Sequence, residues 1–78
     1  MSTANDRRYA RLVRHLVDCR KATGMTQEKL AAKLHVEQSA ISKMENLERR
    51  IGVMELRDWL SAIGYDPGTF LKEVGWLE

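Results

Sequence analysis

Seventy-eight residues are enough for one hydrophobic core and leave no room for a second domain or a deep active-site cleft. A chain this short buries only about 60% of its unfolded surface, so modest stability is expected, with self-association as one way to raise it. The net charge of +2 argues little for any partner, and a single cysteine cannot staple the fold. No apolar run approaches the ~18 residues that a membrane helix needs, and no signal-peptide pattern opens the chain. The expectation is a cytoplasmic protein that makes no membrane contact.

Charge is distributed unevenly. From Arg7 to Lys21 six basic residues face one acidic residue, Asp18, whereas from Ile51 to Glu78 two basic residues face five acidic ones. A basic N-terminal half suits approach to a polyanion, and an acidic end suits a surface turned away from it.

In chain order, residues 1–5 are small and polar and read as a frayed arm. A first helix is predicted from about Asp6 to Ala22, with Tyr9, Leu12, Val13, Leu16 and Val17 recurring at helical spacing. Gly24 is its natural left-handed stop. Thr26 caps a second helix whose inner side is Leu30, Ala31 and Leu34. The connecting turn His35-Val36-Glu37 has no glycine, so His35 is the residue asked to take an unusual backbone conformation. A third helix follows from about Gln38 to Leu47, with Glu37 a weak cap. Ala40, Ile41, Met44 and Glu45 share one side, and Gln38, Ser39, Ser42, Lys43 and Asn46 share the other. A fourth helix spans about Val53 to Ile63, with Val53, Leu56, Leu60 and Ile63 inward and Gly64 its stop. Asp66-Pro67 restarts the chain into a short fifth helix bearing Phe70, Leu71 and Val74. The fold class expected is all-α, a compact five-helix single domain over residues 1–78.

Two short helices joined by a tight turn, the second presenting hydrogen-bonding side chains, form the layout of a DNA-binding helix-turn-helix over about residues 26–47. Gly24, Thr26, Gln27, Leu30, Ala31, Leu34, Val36, Gln38, Ile41, Ser42 and Glu45 lie at fixed offsets that resemble the Cro and phage-repressor family of transcriptional regulators, a lambda-repressor-like fold. The resemblance covers roughly residues 7 to 70.

Base edges in a major groove offer donors and acceptors, so a reading helix needs polar side chains near its start. Gln38 suits adenine, Ser39 and Ser42 reach most bases, and Lys43 reaches guanine; the resemblance places base contacts on these same four residues. Gln27, in the first turn of the second helix, sits where a phosphate is favoured. The resemblance adds a bridge from Gln27 to Gln38 and makes Asn46 a second phosphate ligand. Arg49 and Arg50 follow in the loop and offer two more phosphate contacts. Leu47 stands where the family has glycine, so the loop's path is the part of the pattern this sequence leaves open. An unpaired Glu45 beside the apolar face would be costly; the resemblance pairs it with Arg20 as a structural ion pair.

No nucleophile–base pair, paired catalytic carboxylates or Cys/His zinc spacing stands out, so no enzyme, cofactor or metal is expected. His15 and His35 read as surface or packing residues, and Cys19 as a small semi-buried one. Met54, Trp59, Trp76 and Leu77 look incompletely covered and, with Phe70, are expected at a homodimer interface in the C-terminal helices over 53–74, the competing reading being that they fold back onto the chain's own core. The function expected is a dimeric repressor that reads a pseudo-palindromic operator in double-stranded DNA through its third helix. The alternatives are an antitoxin that masks a toxin partner with its acidic, aromatic end, and a restriction-modification controller.

Overall fold

The computed structural model describes residues 6–77, and the N-terminal arm expected at residues 1–5 lies outside them. Five helices follow one another: α1 (Arg7–Ala22), α2 (Gln27–Leu34), α3 (Gln38–Glu45), α4 (Val53–Ile63) and α5 (Pro67–Glu73). Asp6, Thr26 and Asp66 cap α1, α2 and α5, each side chain accepting from a backbone N–H of its first turn. Glu37 makes no such bond, in line with its weakness as a cap.

All five helices end in the same way. A residue with positive φ, namely Gly24, His35, Leu47, Gly64 or Gly75, follows each helix. In every case the next N–H reaches back five residues to a carbonyl of the last turn, as in Met25 to Arg20, Val36 to Ala31 and Glu48 to Lys43. This is the Schellman closure, and it satisfies carbonyls that helix ends leave orphaned. His35 at φ 57° and Leu47 at φ 64° do this without glycine. Leu47 thus takes the left-handed conformation that glycine would take. The loop path left open by its side chain is therefore closed, and α3 ends at Glu45, two residues earlier than periodicity alone suggests.

The core gathers Leu12, Val13 and Leu16 of α1, Leu30 and Ala31 of α2, Ile41 and Met44 of α3, Trp59, Leu60 and Ile63 of α4, and Phe70 of α5. Three sequence expectations are corrected here. Trp59 and Phe70, expected at a dimer interface, are both 0% exposed within the chain's own core. Val53, expected inward, is 83% exposed. The inward stripe of α4 is the half-buried Leu56 with the buried Trp59, Leu60 and Ile63, a full i, i+3, i+4, i+7 set that turns Trp59 to the centre. Val53 is the first residue of α4, and helical side chains lean toward the N-terminus, so it projects past the helix end. Met54, Trp76 and Leu77 remain exposed. Among the described residues no helix is long and apolar enough to cross a membrane.

Candidate nucleic-acid interface

Arg20, on the last turn of α1, anchors the site. It is 6% exposed and faces Glu45 at the end of α3. The contact is bidentate, with Nε donating to Oε2 at 2.6 Å and Nη2 to Oε1 at 3.1 Å. A third donor, Nη1, bonds the Met25 carbonyl at 2.8 Å, so the guanidinium is satisfied on several sides. The expected ion pair is present, and it fastens the C-terminal end of α3 to α1.

From Glu45 the bonding runs outward. Gln27 Nε2 donates to Glu45 Oε1 at 2.8 Å, and Gln38 Nε2 donates to Gln27 Oε1 at 3.4 Å. An ionised carboxylate accepts only, so Gln27 must turn its NH2 toward Glu45 and its carbonyl toward Gln38. Gln38 must then answer with an N–H. Its second N–H and its own carbonyl oxygen are left for solvent or a ligand, which is the donor–acceptor pair that adenine N7 and N6 match. The buried charge of Glu45 thereby orients an amide at the first residue of α3.

Gln38, Ser39 and Lys43 are exposed on the outer face of α3, with Ser42 half-buried behind them. Asn46 Nδ2 donates to Ser42 Oγ at 3.4 Å, which leaves the serine hydroxyl proton free to point outward. Beyond Asn46, the Glu48 and Arg49 N–H groups both bond the Lys43 carbonyl, pinning the loop to the last turn of α3. Arg49 meets Glu55 at 2.9 Å, an exposed pair of the kind worth about 0–1 kcal/mol. Arg50 lies over the Tyr9 ring at 5.7 Å, and the Tyr9 hydroxyl accepts from the Ile51 N–H. All eight residues singled out for base or phosphate contact therefore lie on α3, at the start of α2 or in the loop after α3.

One constellation escaped the sequence reading. His15 Nε2 lies 2.8 Å from Glu73 Oε1 and 3.6 Å from Cys19 Sγ. The Tyr65 hydroxyl donates to the same Glu73 oxygen at 2.5 Å. Bonds from Tyr65 and then His15 hold the Glu73 carboxyl below its ordinary value, and the bond to Glu73 raises the Tyr65 phenol. Burial pushes the Cys19 thiol up. The i, i+4 placement of His15 and Cys19 on one helix was a readable signal, whereas Glu73 joins them only through tertiary packing.

The fold and this face define a helix-turn-helix DNA-binding domain, and comparison with known proteins agrees. The helix-turn-helix family profile matches residues 16–70. The structure is similar to that of an XRE-family like protein from Pseudomonas syringae pv. tomato, with 45% identity, coverage of 86% of this chain and 82% of that one, and a TM-score of 0.82. No curated protein matches the sequence significantly. The chain belongs to the Cro/C1-type helix-turn-helix family, whose members are DNA-binding transcriptional regulators.

Proposed function

We propose that this chain is a dimeric repressor that reads a pseudo-palindromic operator with α3. The observation that carries the reading is the bonded series Arg20–Glu45–Gln27–Gln38, which holds a glutamine amide in one orientation at the exposed start of α3. Gln38, Ser39, Ser42 and Lys43 read base edges, while Gln27, Asn46, Arg49 and Arg50 hold phosphates and set the register. A second copy covers the exposed apolar residues Met54, Trp76 and Leu77. Two-fold symmetry then requires half-sites about 34–36 Å apart, one turn of the duplex.

Selection from a random duplex library tests the whole reading. The expected result is enrichment of a two-fold symmetric site with half-sites one turn apart. Replacing both Gln38 and Lys43 by alanine then lowers affinity for that site by at least about tenfold, since good base contacts carry about 1–3 kcal/mol each. Undiminished binding by the double variant removes α3 from the reading role. The antitoxin reading keeps one supporting observation, the exposed Trp76 and Leu77 at the acidic end. Retention of DNA without enrichment, together with a small protein that co-purifies with the chain, moves that reading to the front.

A further inference from the structure

The cluster on the α1–α5 side has the chemistry of a metal site. The ligand atoms of His15, Cys19 and Glu73 all lie within 4.8 Å of one another. They offer one imidazole nitrogen, one thiol sulfur and one carboxylate oxygen, a donor set that suits zinc. With Zn–N near 2.0–2.1 Å and Zn–S near 2.3 Å, a tetrahedral N···S edge is about 3.5 Å. His15 Nε2 and Cys19 Sγ already stand 3.6 Å apart, because they occupy successive turns of α1. The His15–Glu73 pair, at 2.8 Å, needs to open only slightly to a tetrahedral edge. Glu73 is the ligand free to adjust, since its side chain is 41% exposed.

We infer that His15, Cys19 and Glu73 form a binding site for a zinc-type divalent cation that staples α1 to α5. The charges balance: the cation displaces the thiol proton of Cys19 to solvent, Glu73 binds as carboxylate, and His15 binds as neutral imidazole with its proton on Nδ1. The complex is neutral, and its formation releases a proton. Two further groups orient the ligands. The Phe70 ring stacks on the His15 imidazole at 5.2 Å and 24°, fixing the plane of the ring. The Tyr65 hydroxyl bonds the Glu73 carboxylate, as outer-shell partners of metal sites do. His15 and Glu73 also line an open cleft with Arg11, Arg14, Asp18 and Val74, so solvent reaches both ligands. Binding here locks α5 and the exposed Trp76 after it against α1. The site is independent of the DNA-reading face.

Titration of the reduced, purified chain with Co2+ tests it, because a thiolate-to-cobalt charge-transfer absorption reports Cys19 ligation directly. The expected result is that band at one cobalt per chain, displacement of cobalt by Zn2+, and a higher melting temperature with excess Zn2+. Cys19→Ser abolishes the band and the melting shift. Glu73→Gln, a near-isosteric change at a 41% exposed side chain, weakens Co2+ binding by at least tenfold. Tyr65→Phe weakens it by about 10–100-fold without abolishing the band. The proposal is overturned by wild-type protein that gives no band and no melting shift. It is equally overturned by one cobalt per two chains, which would mean a cation bridging two Cys19 thiols, or by unchanged affinity in Glu73→Gln.

Discussion

Two residues without glycine's freedom frame the reading helix. His35 and Leu47 each hold positive φ, a conformation that costs an L-residue about 1–2 kcal/mol. The two sites differ in what their side chains return. Leu47 packs against the core, so its burial offsets the backbone cost, whereas His35 is exposed and returns little. His35→Gly is therefore expected to stabilise the fold by a few tenths to about 1 kcal/mol after glycine's own entropy cost, as read by urea unfolding. At Arg20 and Glu45 the balance is opposite. Both side chains are under 10% exposed, so removing one partner strands a charge. Glu45→Ala is expected to cost about 3–5 kcal/mol in the same assay, and a loss below about 1 kcal/mol would show that the pair does not hold α3.

The helices are delimited by their ends more than by their propensities. With only seven to eight residues each, α2, α3 and α5 are too short to persist alone in water, and their caps and packing hold them. The caps carry a pH signature. The side chain and then the backbone N–H of Arg8 bring the Asp6 carboxyl down from 3.8 to about 2. The Thr69 N–H, followed by its hydroxyl, lowers Asp66 at the start of α5. A carboxyl lowered by folding binds fewer protons in the native state than in the unfolded one. Its stabilisation is thus present above the unfolded value and is lost as pH falls through the folded value. Thermal melts are expected to drop as pH falls from about 4 toward 2. Asp66→Asn should make that drop shallower. An unchanged acid profile in the variant would mean that this cap does not contribute to it.

At the scale of the whole molecule, the Cα trace extends 31 × 28 × 20 Å, a size compatible with the proposed spacing of one copy per turn of duplex. The acidic C-terminal third and the exposed Val53, Met54, Trp76 and Leu77 lie outside the set of residues assigned to DNA. Charge on that set also determines how binding responds to salt. In the proposed dimer, two arginines from each protomer would displace about four condensed counterions, a contribution of about 3–4 to the log–log slope of affinity against salt. Replacing Arg49 and Arg50 by glutamine is expected to flatten the slope by that amount in a fluorescence-anisotropy salt series. An unchanged slope would remove both residues from the phosphate contacts.

The sequence by itself determined five helices, their stops at Gly24 and Gly64, the strained turn at His35 and the polar face of α3. These depend on interactions within a few residues, where periodicity, caps and left-handed stops are written in neighbouring letters. The Arg20–Glu45 pair was legible only through family resemblance, because its partners are 25 residues apart. Tertiary structure alone decided which edge residues are covered. Val53 was expected on the inner stripe of α4 and Trp59 at a dimer interface, yet Trp59 is enclosed by other helices and Val53 projects from a helix end. It also decided that His15 and Cys19 meet Glu73, 58 residues beyond His15, because only the docking of α5 on α1 brings that carboxylate to them. Burial and long-range bonding depend on what the rest of the chain places nearby, which no local pattern contains.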